Sequence, residues 1–262
     1  MNIEEIDSED AFSAIRDDWT DLLDKVPDAT IFQTWEWAHT WWQHFKADKE
    51  LIILKCIDDD GQLAAIAPFY RTTKRWGLFR LKTIEFIGYG ERKNAEYLDL
   101  IIRPGYEADV LAAILDWSSH TQYRWDLINL TNLRSQSPCY QTFLQVLDQK
   151  KADWVELANL DCPYIELPET IEDLHARYSK NHRKNLKKQK NKLLRLHEVE
   201  FERVDQTLEL QEAVDLLFDL HNKRHGSSSV FYSDQNKAFF LALSKVFQQK
   251  ELLRIYAVKI NT

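Results

Sequence analysis

Residues 178–195 read YSKNHRKNLKKQKNKLLR. Half of residues 180–195 are Lys or Arg, and the stretch contains no acid. The whole chain of 262 residues carries a formal charge of -8 at pH 7. Setting aside Lys180, Arg183, Lys184, Lys187, Lys188, Lys190, Lys192 and Arg195 leaves the remainder at -16. A cationic rod therefore sits in an otherwise acidic protein. Leu174, Tyr178, Leu186, Leu193 and Leu196 recur near helical spacing. That predicts one helix over residues 171–197, capped by Thr170, with the leucines as a packed stripe. At about 1.5 Å per residue the rod is roughly 40 Å long. Its cations either form a solvated face that offsets the acidic surface or wall a site for an anionic substrate. Such a substrate would be a phosphate, a nucleotide-linked sugar, an acyl-CoA or tRNA. Arg183 offers a planar fork to a phosphate, whereas the lysines act as point charges. Duplex DNA is not expected, because interleaved aromatic residues and a basic surrounding domain are both missing.

Outward from the rod, residues 199–204 alternate as a strand. Helices follow at 208–223 and 235–249, separated by HGSSSVFYSD, and a strand closes at 252–260. The residues before the rod show the same opening. Residues 1–6 are a strand. Asp7 or Ser8 caps a helix to about Lys25, carrying Phe12, Ile15, Trp19, Leu22 and Leu23 at helical spacing. Thr34 caps the aromatic helix TWEWAHTWWQHF. Strands 51–57 and 63–71 flank the turn Asp58-Asp59-Asp60-Gly61. Further strands are expected at 79–87 and 97–102, a helix from Pro104-Gly105 to about His120, a strand at 125–130, a helix at 138–150 and a strand at 154–167. This order predicts a mixed α/β sheet. Strand, helix, helix, strand then begins again after Pro168. The expected organisation is a first domain over 1–168 and a second over 169–262. The second is read as an N-terminal half, since a domain of the same kind needs about 100 more residues.

Hydrophobic residues make up 44% of the chain and aromatic residues 12%, enough for a real core. No apolar run approaches the roughly 20 residues of a membrane helix. The acidic N-terminus lacks a signal-peptide core, so a cytoplasmic location is expected. Cys56, Cys139 and Cys162 show no CxxC or metal-ligand spacing and read as buried small hydrophobes, with a catalytic thiol as the alternative. Neither GxSxG, P-loop nor HExxH occurs.

Trp37 and Trp41 are four residues apart on the aromatic helix, and Trp35 and Trp42 seven apart. They read as core, with a sugar-stacking platform as the alternative. Tyr97 and Asp99 fall on one side of a strand, either as a structural pair or as a polar pair that orients a nucleophile. His221 and His225 are four apart with Arg224 between them. No third ligand stands at suggestive spacing, so no metal is expected. A histidine near a helix end then reads as structural.

Several blocks together resemble the CelD/BcsL-type acetyltransferase family, a tandem-GNAT group related to the FemABX aminoacyltransferases. FQTWEWAHTWWQHF at 32–45 resembles its Phe/Trp block, and IAPFYR at 66–71 its Leu-Ala-Pro-Leu-Tyr segment. Tyr97-Leu98-Asp99-Leu100, CPYIELP at 162–168 and Arg183-Lys184-Asn185-Leu186 match further motifs. His221, Arg224, Phe231 and Phe239 fall at its His-x-x-Arg and trailing Phe positions. The resemblance implies a tandem GNAT-like fold and acyl transfer from acetyl-CoA or another acyl-CoA. The acceptor would be an amine or hydroxyl of a polysaccharide or cell-envelope precursor, an anionic small molecule or sugar-linked compound. It also implies that Tyr178, Arg183, Lys184 and Asn185 contact the anion, and that Tyr97, Asp99, Arg224 and Trp37 contact the substrate. His221 would be the base. The family cradles the CoA pyrophosphate on backbone N–H groups in Arg/Gln-x-x-Gly-x-Gly/Ala. Here that place reads Arg103-Pro104-Gly105-Tyr106-Glu107-Ala108, so the first domain is expected not to hold CoA in the usual way. The family's later strands, phosphate-binding turn and final helix are not found before Thr262. Two other functions stay open: a FemABX-like transferase using aminoacyl-tRNA, in which tRNA would be a partner, and a non-catalytic binding module.

Overall fold

The structure, a computed structural model, describes residues 1–90, 95–157, 161–206, 208–226 and 233–261. The chain forms two compact units. One comprises Met1–Trp154 with Val214–Leu252, the other Val155–Ala213 with Leu253–Thr262.

The first unit opens with β1 (Asn2–Ile6), α1 (Glu9–Ala14) and α2 (Arg16–Leu23). Ser8 caps α1, but the single expected helix is broken at Ile15, whose ψ of 9° leaves the helical range. After a 3-10 turn, α3 (Trp35–Phe45) starts where Thr34 Oγ1 accepts the Trp37 N–H at 3.3 Å. β2 (Lys49–Ile57) and β3 (Leu63–Trp76) form the expected hairpin. Asp58 closes it by accepting the Asp60 and Gln62 N–H groups at 3.1 and 2.8 Å. β4 (Phe79–Phe86) pairs with the second half of β3, and β5 (Ile101–Ile102) with Ala65 and Ile66 in its first half. Then come α4 (Glu107–His120), β6 (Leu127–Asn129) parallel to β4, and α5 (Pro138–Gln149). The sheet order is β1-β2-β3-β4-β6, with β5 beside β3, so the sheet is mixed. The strand expected at 97–102 shrinks to two residues. Tyr97 has φ 52°, a left-handed conformation that no strand accommodates. The strand expected at 154–167 is absent among the described residues of that stretch.

Beyond it lie α6 (Ile171–Arg177), α7 (Lys180–Leu196) and β7 (Val199–Arg203). α8 (Leu210–His225) crosses the division between units, α9 (Asp234–Gln249) belongs to the first, and β8 (Tyr256–Ile260) pairs antiparallel with β7 in the second. α9 packs on α3. Phe239, fully buried, meets Trp37, His44 and Phe45 at ring-centroid distances of 5.7, 5.9 and 5.3 Å. Lys250, just past α9, reaches the buried Glu36 of α3 at 2.7 Å.

The second unit holds few buried side chains, and Asp205 is one of them. Its carboxylate accepts the Ile255 N–H at 2.8 Å and the Arg203 guanidinium, joining the inner ends of β7 and β8. Burial pushes this carboxyl up, but the Arg203 and Ile255 donors outweigh it and hold the carboxyl below its ordinary value. A carboxyl lowered on folding stabilises the folded form above its unfolded value, and that contribution disappears as pH falls below about 4. Asp205→Asn is expected to destabilise the β7–β8 ribbon by about 1–2 kcal/mol at pH 7. Hydrogen exchange of the Tyr256–Ile260 amides measures this; unchanged exchange would contradict it.

Candidate functional site

The helix expected over residues 171–197 is two helices rather than one rod, and the cationic stretch lies on the second. Tyr178 turns extended, with ψ 146°, and ends α6. Ser179 then caps α7 by accepting the His182 N–H at 3.2 Å. α7 has 17 residues, about 25 Å at 1.5 Å per residue. No residue of α7 is buried. Of the expected packed stripe, Leu174 and Tyr178 are half-buried, whereas Leu186, Leu193 and Leu196 are open, between 37% and 55% exposed, as is Leu194 beside them. At the junction Arg183 donates to the His175 and Ala176 carbonyls, both at 3.3 Å, where the carbonyl end of α6 favours a cation. The Tyr178 ring meets His182 edge-on at 4.8 Å. Lys184 and Asn185 are exposed. The structure thus brings Tyr178 and Arg183 together at the α6–α7 break. Among the described residues no carboxylate pairs with any α7 cation.

The other expected site residues lie outside that stretch. Trp37 on α3 is buried, with its ring against Phe32, Phe239 and Phe247. Gly88, at φ 102°, lets the chain approach it: a Cβ there would stand 3.2 Å from Leu98 and 3.3 Å from Ala95. This enclosure makes Trp37 core, whereas Trp35 on the same helix is half-buried and stacks on His39 at 4.2 Å. The Trp37 Nε1–H is buried without an acceptor among the described residues.

Tyr97 and Asp99 are not neighbours on one strand face, because no strand exists there. Tyr97 is partly exposed, and its carbonyl accepts a long bond from Thr30 Oγ1. Asp99 is buried. It accepts the Leu100 N–H at 2.8 Å and the Ser137 hydroxyl at 2.5 Å, which fixes the residue capping α5. Burial raises its carboxyl above the ordinary value, against the pull of Ser137 and Cys139. Asp99 therefore acts as a strut between its loop and α5. His221 and Arg224 lie on α8; the His221 and His225 rings are 4.7 Å apart. Phe231 falls outside the described residues. No group of three metal-ligating side chains occurs among the described residues. Burial lifts the Cys56 thiol to about 12 and raises Cys139 well above its usual value, whereas Cys162 is exposed and departs from the expected burial.

The implied acyl-CoA can be tested against the start of α4. Gly105 N–H donates to Glu107 Oε2 at 2.9 Å, so a carboxylate of the chain itself fills the anion position at this helix end. Arg103 pairs with Asp58 and lies 4.1 Å over the Tyr106 ring. Pro104 has no N–H to offer. These residues do not fit a pyrophosphate.

One polar constellation escapes sequence reasoning. Tyr70 on β3, Glu85 on β4 and Asn129 on β6 stand opposite one another across three strands. The fully buried Glu85 accepts Tyr70 Oη and Asn129 Nδ2, both at 2.8 Å, and Lys74 Nζ at 2.5 Å. With three donors on it, this carboxylate serves as a clamp across the sheet rather than as an available base.

Residues 180–262 match the Acetyltransferase (GNAT) domain family. No curated protein matches the chain. Among solved structures, a single-substitution mutant of the BH1408 protein from Bacillus halodurans is similar at 14% identity and a TM-score of 0.34. That match covers 63% of this chain and 100% of the other. A Pyrococcus furiosus protein provisionally assigned as an acetyl transferase is similar at 10% identity and a TM-score of 0.31, covering 62% and 100%. Likeness at that level bears on neither activity nor ligand. The chain is a mixed α/β protein with a GNAT domain at residues 180–262, and that domain supports a general acyltransferase role.

Proposed function

We propose that the protein serves acyl transfer from an acyl-CoA to an amine or hydroxyl of an anionic, sugar-linked polysaccharide or cell-envelope precursor. The observation that carries this reading is the match of residues 180–262 to the GNAT acetyltransferase domain. In it, Arg183, Lys184, Asn185 and Tyr178 of the second unit hold the anion; in the first unit Tyr97 and Arg224 contact the acceptor, while Asp99, as a buried strut, holds its loop against α5. His221 is the base. The residues at the start of α4 do not fit the donor's pyrophosphate, so donor binding is not assigned there. That misfit favours a second reading, a binding module without catalysis.

Calorimetry with acetyl-CoA separates the two. Binding below about 1 mM, the upper range of ordinary KM values, is expected for the transferase. No heat at millimolar acetyl-CoA would overturn the transferase reading. The double substitution Arg183→Ala with Lys184→Ala is expected to weaken an anionic sugar-nucleotide ligand about tenfold, the scale of one charge-assisted contact. Circular dichroism should stay unchanged, because both side chains are exposed. Equal affinity in the double variant would remove the helix from the site.

A further inference from the structure

We infer that α7 is a docking helix for an anionic lipid surface, an interaction that does not depend on the acyl-transfer reading. The helix is amphipathic in a definite way. At about 100° per residue, Leu186, Leu193, Leu194 and Leu196 fall within one arc of about 160°. Lys180, Lys184, Lys187, Lys188, Lys192 and Arg195 occupy the opposite arc, while Lys190 and Arg183 fall inside the leucine arc, between Leu186 and Leu194. Their long aliphatic stems let such cations lie along an apolar surface with their charges reaching its polar edge.

Each leucine is at least 37% exposed, and no α7 side chain is buried. An isolated exposed leucine on a protein surface is ordinary, but four on one face of a helix with no buried residue are not. Arg183 donates to the His175 and Ala176 carbonyls. Among the described residues none of the cations meets a carboxylate, although acids outnumber bases in the chain by 42 to 34.

Charge complementarity decides the occupant. Without these eight cations the protein stands at -16, so an anionic bilayer repels the remaining surface and attracts this helix. A nucleic acid would use the cations but leave the leucines in water. A lipid surface uses both faces, because the apolar arc enters the headgroup boundary while the cations meet anionic headgroups. The helix is too polar and too short to span; among the described residues no helix is apolar and long enough to cross a membrane.

The test is flotation of the full chain with vesicles of phosphatidylglycerol and phosphatidylcholine, against vesicles of phosphatidylcholine alone, at low and high salt. Binding to the anionic vesicles at low salt is expected, with at least tenfold less to the neutral ones. Leu186→Gln with Leu193→Gln keeps the charge and a good helix former, and should lower partitioning at least tenfold. Circular dichroism of that variant checks that the helix persists. Failure of the native chain to float with anionic vesicles overturns the inference. Equal flotation by the leucine variant overturns it too, leaving only a charged patch. Tighter binding of a structured RNA, undiminished in the leucine variant, overturns it in favour of nucleic acid. Because the readout is flotation, it stays distinct from acetyl-CoA calorimetry.

Discussion

Phe239→Ala is expected to destabilise the first unit by about 3–5 kcal/mol, the range for removing a buried aromatic ring. Phe239 is fully buried and touches four aromatic rings: Trp37, His44, Phe45 and its neighbour Phe240. Trp37 and Phe45 border the space the ring would leave, both are carried by α3, and Trp37 is backed by Phe247 of α9. Rigid neighbours collapse poorly into a cavity, so the upper part of the range applies. A folded domain commonly holds only about 5–15 kcal/mol, so this loss is a large part of the whole. Urea unfolding followed by tryptophan fluorescence measures it, since Trp37 lies 5.7 Å from the deleted ring. Phe201→Ala serves as the comparison, because Phe201 is 68% exposed on β7 and its loss should be far smaller. Equal effects from the two substitutions would mean that α9 does not anchor on α3.

The α3–α9 contact joins elements that sequence reading places correctly but cannot bring together. Thr34 before an aromatic run reads as a cap, and it is one. The Asp58–Gly61 turn and its flanking strands are equally legible, because local backbone chemistry decides them. The errors arise where distant contacts decide. The alternation of Tyr97, Leu98, Asp99 and Leu100 satisfies a strand pattern. Yet Asp99 turns in to the Ser137 hydroxyl, and Tyr97 adopts a positive φ. The leucine and lysine spacing runs smoothly through Tyr178, so periodicity alone shows one rod. Ser179 was the available signal, since a serine followed by a helical pattern is a cap candidate. The candidate site fares differently in its two parts. The cations of α7 are visible as composition. Their exposure, the open leucine face and the tie from Arg183 to the end of α6 are not, because each depends on what the rest of the chain leaves uncovered.

Glu85 lies in the strand expected at 79–87, and a charged side chain is ordinarily exposed. Strand register reverses this by setting Tyr70 and Asn129 on either side of it, with Lys74 completing the shell. Glu85→Ala is therefore expected to cost about 2–4 kcal/mol. Loss of a buried acceptor with several donors costs on that scale, and the usual figure for a broken buried ion pair is about 3–5 kcal/mol. The lower range applies because Lys74 is 40% exposed and can turn to water, and because Tyr70 also has the Tyr89 carbonyl at 2.9 Å. Asn129 then loses the acceptor on its amide, and the packing beside it opens. Adding Lys74→Ala to Glu85→Ala should cost little further, since the lysine's partner has already gone. In native protein Lys74→Ala alone should be costly, because it leaves the buried carboxylate without its counter-charge. The four stabilities form a double-mutant cycle, and a coupling of about 1–2 kcal/mol is expected for groups in one network. Additive losses would show that Lys74 and Glu85 do not act as a pair. A Glu85→Ala loss below about 0.5 kcal/mol, the level of an ordinary surface change, would refute the clamp.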